Sequence, residues 1–165
     1  DWLAWGGQAA SDRRCFGFRG ASGIDGTLSL AMGLALASGP LVLVTGDLAL
    51  LHDSNGWLHA TPEGPPLLVV LIDNRGGGIF QQLPIASVQF EQLFAMPQRV
   101  DPLALAAAHG VQGRQVACLE DLPQALDWGL AQARPALLRL CSDRTRDAEL
   151  RLTLRAAAQN EQPIS

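Results

Sequence analysis

Residues 41–47, LVLVTGD, and 67–78, LLVVLIDNRGGG, decide how this chain is read. Each is a continuous, β-branched apolar run, the pattern of a strand buried on both faces. Each run ends abruptly in oxygen-bearing residues and glycine: Gly46-Asp47 after the first, Asp73-Asn74-Arg75 and three glycines after the second. If the two strands lie parallel and adjacent, both turns reach the same edge of a sheet. Asp47 then offers a carboxylate, Asn74 an amide oxygen and the glycine loop a backbone carbonyl. Three hard oxygen donors, only one of them charged, suit Mg²⁺ (or Mn²⁺), which keeps positions open for phosphate and water. A helix opening at Asp47 would turn free N–H groups toward an anion, and the glycines allow close backbone approach. The expectation is a site for a magnesium-bound diphosphate. The competing reading makes Asp47 a helix cap and Asn74 with its glycines a plain turn.

Working outward, ALLRLCS (136–142) is a third strand, RQVACL (114–119) a weaker fourth, and CFGF (15–18) a short fifth. Between them lie helical patterns. IDGTLSLAMGLALAS (24–38) is rich in small residues and stops at Gly39-Pro40, so it should be buried and closely packed. DLALLHDSNGWLHA (47–60) follows the first strand. DPLALAAAHG (101–110) opens on Asp-Pro and closes on Gly, the expected caps. EDLPQALDWGLAQ (120–132) is amphipathic, and residues 143–158 read as a surface helix. Alternating strands and helices predict an α/β fold, a doubly wound parallel sheet with helices on both faces. Ligands of such sheets sit at the carboxyl ends of the strands.

Composition narrows the chemistry. The chain has 165 residues, enough for one domain with a real core, and 48% hydrophobic against 17% charged residues excludes disorder. All twelve basic residues are Arg, and there is no Lys or Tyr, which excludes a Walker loop, a Schiff-base lysine and a Tyr/Lys pair. A net charge of −4 with no Arg run leaves no nucleic-acid footprint, and no apolar run reaches the ~20 residues of a membrane span. Cys15, Cys118 and Cys141 form no CxxC pair and are expected to be buried free thiols of a cytoplasmic protein. DWLAWGG at the start reads like the tail of a helix already under way, so a piece of a larger chain is expected.

Upstream, RGASGIDG (19–26) leads directly into the first helix. A dinucleotide-binding turn is one reading: Gly20, Gly23 and Gly26 open the helix and Asp47 sits at a distance to hold a ribose. That reading leaves the Asp73-to-Gly78 loop without a role. The other reading starts from Gly-Asp followed 27 residues later by Asn, at Asp47 and Asn74. This spacing resembles the signature of thiamin diphosphate enzymes. RGASGIDG, GDLALLHD (46–53) and NRGGGIFQQLP (74–84), in this order, with FAMPQRVD (94–101), are similar to the family of 2-succinyl-5-enolpyruvyl-6-hydroxy-3-cyclohexene-1-carboxylate (SEPHCHC) synthases. The likeness covers roughly residues 12–145 and corresponds to the C-terminal, diphosphate-binding third of such an enzyme.

The resemblance implies a thiamin diphosphate-binding fold, with cofactor held between this domain and the pyrimidine domain of a second subunit in a homodimer or homotetramer. It implies Mg²⁺ on Asp47, Asn74 and the Gly76 carbonyl. Ser22, Gly23, Gly46, Leu48 and Gly77 would line the diphosphate; Ala49 stands where some relatives carry a hydroxyl. Ile24 would press under the thiazolium, against the alternative of a plain core residue. Ile79, Phe80 and Leu83 would wall the pocket, against ordinary loop packing. Arg19 would hold a substrate carboxylate, its planar fork suiting that group, against a surface Arg. The substrates implied are 2-oxoglutarate, which is decarboxylated, and isochorismate, which accepts the remaining unit, in menaquinone or phylloquinone biosynthesis. The activating Glu of that family belongs to a domain outside this sequence, so the chain alone is expected to be inactive. Two other readings stay open: another thiamin diphosphate carboligase or decarboxylase, and a non-catalytic binding module.

Overall fold

A computed structural model describes residues 14–17, 23–85 and 87–160. Four strands, β1 (Leu41–Gly46), β2 (Leu67–Asp73), β3 (Gln112–Val116) and β4 (Ala136–Cys141), form one sheet in the order β1-β2-β4-β3. All three pairings are parallel, and the β1–β2 register sets Gly46 opposite Ile72. The turns after β1 and β2 therefore leave the sheet side by side. The α/β fold with a parallel sheet is the one the two apolar runs predict, but β1 is not buried on both faces as its run suggested: it lies at the sheet edge, with Val42 and Val44 exposed.

Alternation along β2 builds two cores. Leu67, Val69 and Leu71 pack with Leu137 against helix α1 (Thr27–Ser38), Trp57 and helix α4 (Pro102–Ala108). Leu68 and Val70 pack with Ala136 and Leu138 against helix α5 (Leu122–Leu130). Both faces of β2 are thus covered by helices, which is why no polar residue interrupts it before Asp73. Helix α1 buries Leu28, Ala31, Met32 and Ala35 at helical spacing. Leu30 and Leu36 on its other side are exposed, so the helix is buried along one stripe only, not all round as its composition suggests.

Several expectations move. The helix expected over 47–60 splits into α2 (Asp47–His52) and a 3₁₀ turn, Ser54–His59. The break falls at Asp53, whose carboxylate accepts from the Ser29 N–H (2.7 Å) and Ser29 hydroxyl (3.0 Å), and at Gly56, where a Cβ would collide with Leu28. Asp53 thereby ties α1 to the helix that follows β1. Strand β3 lies two residues earlier than its apolar pattern suggested, and Gly113 lets it approach Leu103 and Leu137. Residues 15–17 hold no strand; Phe18 of that stretch and the DWLAWGG segment lie outside the described residues. A short helix α3 (Ser87–Phe90) and a π-helical turn (Glu91–Ala95) occupy a stretch that carries no clear periodicity. Asp101 caps α4 as its Asp-Pro start suggests, accepting from the Leu103 N–H at 2.9 Å. Helix α6 (Arg144–Asn160) closes the described chain. The three cysteines are free but exposed, the reverse of their expected burial: each lies at a loop or strand end beyond the reach of the covering helices.

Candidate metal-diphosphate site

The site is built where β1 and β2 end. Gly46 leaves β1 in extended geometry and α2 begins at Asp47 itself, so Asp47 is the first helical residue and not a side-chain cap. Its carboxylate is buried, 7% exposed, and Oδ2 accepts from the backbone N–H of Gly76 at 2.6 Å. This bond joins the turn after β1 to the loop after β2 across 29 residues of sequence. Burial pushes the Asp47 carboxyl above the ordinary carboxylate range, and the nearby Asp73 adds to it; the N–H groups of Gly76 and Leu48 pull the other way. Among the described residues no Arg or His pairs with Asp47.

Glycine is required on the facing loop. Gly76 has φ +120°, and a Cβ there would run into the Ala95 carbonyl; one on Gly77 would meet the Phe94 carbonyl. Both carbonyls end the π-helical turn, just before Met96 at φ 46°. The FAMPQRVD stretch therefore acquires a structural role, pressing its backbone against the glycines. The Gly77 N–H donates to Ala95 (2.7 Å) and the Gly76 carbonyl accepts from Gly78 N–H (2.8 Å), which leaves that carbonyl one lone pair.

Asp73 is a structural anchor. Its Oδ1 accepts from the Arg75 N–H (3.1 Å), and its Oδ2 takes Arg139 Nε (2.8 Å) and Nη2 (2.6 Å). Arg139 comes from β4 and also approaches Asp101, the cap of α4, at 3.7 Å. Sequence reasoning gave neither Asp73 nor Arg139 a role. An Arg inside an otherwise apolar strand, ALLRLCS, was the available signal.

Two cavities flank the rim. The larger, about 320 Å³, is lined by Gly46, Asn74, Gly78 and Ile79, and by Arg144, Asp147 and Arg151 of α6. The smaller, about 110 Å³, is lined by Asp47, Asp73, Arg75 and Arg139. The structure thus brings Asp47 and Gly76 together, and opens Asp47 and Asn74 onto different cavities. Leu48 and Ala49 are half-buried behind Asp47. Gly23 and Ile24 precede α1, and Ile24 is 42% exposed, which removes the plain core alternative. Ile79, Phe80 and Leu83 are 67%, 40% and 49% exposed along the Gly78–Gln82 turn, with Phe80 tilted against Phe94. They form an open apolar ridge, not a packed loop. Arg19 and Ser22, and Gly20 of the dinucleotide reading, lie outside the described residues. Arg75 is exposed, as a solvated side chain would be.

The donor set fits a small hard divalent cation. One buried carboxylate without a cationic partner, one side-chain amide and one free carbonyl lone pair lie on two joined turns. In the ribose-binding alternative, Asp47 would have to face a nucleoside; here it faces the glycine loop.

Comparison with known proteins places the chain in a family. The model of the thiamine pyrophosphate enzyme C-terminal TPP-binding domain matches residues 2–140 (thiamine pyrophosphate and thiamin diphosphate are one compound). The 2-succinyl-5-enolpyruvyl-6-hydroxy-3-cyclohexene-1-carboxylate synthase of Parasynechococcus marenigrum (strain WH8102) is 77% identical over 164 residues, covering 99% of this chain and 30% of that protein. The synthase of the same name from Synechococcus sp. (strain CC9902) is 69% identical, covering 99% of this chain and 29% of that one. The chain therefore spans under a third of these relatives. Among solved structures, the thiamine diphosphate-dependent 4-hydroxybenzoylformate decarboxylase of Rhodococcus jostii RHA1 superposes with a TM-score of 0.58 at 23% identity, over 68% of this chain and 22% of that one. That likeness shows the fold. The match over residues 2–140 by itself settles the family: the chain belongs to the thiamine pyrophosphate enzymes and carries their C-terminal TPP-binding domain.

Proposed function

We propose that residues 1–165 are a single diphosphate- and metal-binding domain of a longer transferase, a SEPHCHC synthase. It would decarboxylate 2-oxoglutarate and join the remaining unit to isochorismate, in menaquinone or phylloquinone biosynthesis. Relatives of 63–77% identity that bear this name support the reading. The observation that carries the local part is the Asp47 carboxylate: buried, without a counter-ion, and 2.6 Å from the loop that holds Asn74 and Gly76.

In this reading Asp47, Asn74 and the Gly76 carbonyl hold Mg²⁺ (or Mn²⁺). Ser22, Gly23, Gly46, Leu48, Ala49 and Gly77 line the diphosphate, with the Gly77 N–H already engaged by Ala95. When bound, the cofactor supplies the electron sink that decarboxylation of a 2-oxo acid requires. The chain's own groups position and shield. Ile24 supports the cofactor ring from the start of α1. The exposed Ile79, Phe80 and Leu83 exclude water once a second surface closes over them. Arg19 offers a fork to a substrate carboxylate. The closing surface is the pyrimidine domain of a second subunit, in a homodimer or homotetramer. That domain also brings the activating carboxylate, since Glu63, Glu91, Glu120, Glu149 and Glu161 of this chain all lie outside the motifs. Among the described residues no helix is long and apolar enough to cross a membrane.

The test is turnover. The full-length protein should release carbon dioxide from 2-oxoglutarate and consume isochorismate only with thiamin diphosphate and a divalent cation. This chain alone should do neither. Benzoylformate turnover without 2-oxoglutarate turnover would favour another decarboxylase, and synthase activity from this chain alone would overturn the division of labour.

A further inference from the structure

One peptide unit at the rim is gripped at both ends. The N–H of Gly76 donates to Asp47 Oδ2 at 2.6 Å. The carbonyl of the same peptide, that of Arg75, accepts from Arg144 Nη1 at 2.6 Å. Arg144 is the first residue of α6 and lies 69 residues further along the chain. Its other arm, Nη2, donates to both carboxylate oxygens of Glu91, at 2.7 and 2.5 Å, in the turn whose later carbonyls press on Gly76 and Gly77. The Arg144 side chain is 17% exposed, so the fork is held against protein and not in water.

A peptide is planar and rigid. Fixing the carbonyl of Arg75 therefore fixes the direction of the Gly76 N–H, and with it the orientation of the Asp47 carboxylate. Arg75 itself sits at φ 61°, a region a non-glycine residue adopts at a cost, so the turn needs outside restraint. A charged donor on the carbonyl also polarises the peptide and strengthens the N–H bond at its far side. Only an Arg fork can serve the carbonyl and the Glu91 carboxylate together; a Lys head is a single point.

We propose that Arg144 is a positioning residue for the cation site, acting on Asp47 through the Arg75–Gly76 peptide. The proposal rests on the reading of Asp47 as a metal ligand. It is tested on the full-length protein by titrating Mn²⁺ in the presence of thiamin diphosphate and reading free Mn²⁺ by electron paramagnetic resonance. Replacing Arg144 by Met should weaken Mn²⁺ binding about tenfold, the scale of a lost charge-assisted hydrogen bond. A mere field effect has the opposite sign: removing a cation near the site would tighten Mn²⁺ binding, and that result, or no change, overturns the proposal. Arg144→Lys should keep the charge and still lose most of the affinity; full rescue by Lys overturns it. Glu91→Gln, which frees the fork without removing it, should weaken binding in the same direction by less, and gives the answer if Arg144→Met does not fold. A lowered unfolding midpoint with unaltered Mn²⁺ affinity would mean a structural tie only. Asp47→Asn in the same assay separates the two readings. If it leaves Mn²⁺ affinity unchanged, the metal site itself falls; if it abolishes binding while Arg144→Met does not weaken it, the positioning role alone falls.

Discussion

Asp47 directly follows β1 and Asp73 ends the adjacent parallel strand β2, and they are buried alike, 7% and 6% exposed. Their surroundings are opposite. Asp73 sits under an Arg139 fork from β4 and caps its own turn through the Arg75 N–H. Asp47 receives a backbone N–H and no cation. A buried carboxylate with a permanent partner is part of the scaffold; one without a partner is costly until a cation arrives. Burial is shared by both, so the partner distinguishes the anchor from the ligand we propose. The charge of the anchor is neutralised by an Arg in the neighbouring strand.

Breaking the anchor should have the largest effect. Arg139→Met leaves Asp73 without a cationic partner, and should cost about 3–5 kcal/mol in urea unfolding. Removing both charges in Asp73→Leu with Arg139→Met should return most of that loss, because an apolar pair can replace a buried ion pair. Removing the other charge should do the reverse. Asp47→Asn keeps an acceptor for Gly76 N–H, so the unfolding midpoint of the metal-free protein should hold or rise. Metal-dependent thiamin diphosphate affinity should meanwhile fall about a hundredfold or more, by calorimetric titration. Gly76→Ala sharpens the contrast from the loop side. Its φ of +120° and the Ala95 carbonyl both oppose a Cβ, so about 1–3 kcal/mol of stability and the cofactor affinity should fall together. The smallest effect belongs to Asp101, which caps α4 and only approaches Arg139: Asp101→Ala should cost about 1 kcal/mol and leave cofactor affinity alone.

The sequence made some of this legible and hid the rest for physical reasons. Continuous apolar runs revealed β2 and β4, because central strands covered on both faces admit few polar residues; β1 shows the same run although it is an edge strand with Val42 and Val44 exposed. The carboxyl-end placement of Asp47 and Asn74 followed from parallel pairing alone. Strand β3 was shifted because an edge strand, exposed along most of its length, carries little pattern. The break at Asp53 was hidden because its cause is a tertiary bond to Ser29. The turn at 91–95 gave no periodic signal, yet it shapes the glycine loop through its carbonyls. Arg139 and Arg144 act across 66 and 69 residues of sequence, and no local rule connects an Arg to a turn that distant. The cysteines misled because a small apolar side chain is usually interior, and here each falls beyond the edge of a core.

The central claim is that the turns after β1 and β2 jointly hold a divalent cation. It is tested most directly by diffraction from crystals of the full-length protein with Mn²⁺ and thiamin diphosphate, recorded for anomalous signal. The account predicts one strong peak within coordination distance, about 2.0–2.3 Å, of an Asp47 oxygen and of oxygens from Asn74 and Gly76. A peak placed elsewhere, with Asp47 still bonded to the Gly76 N–H alone, would contradict it.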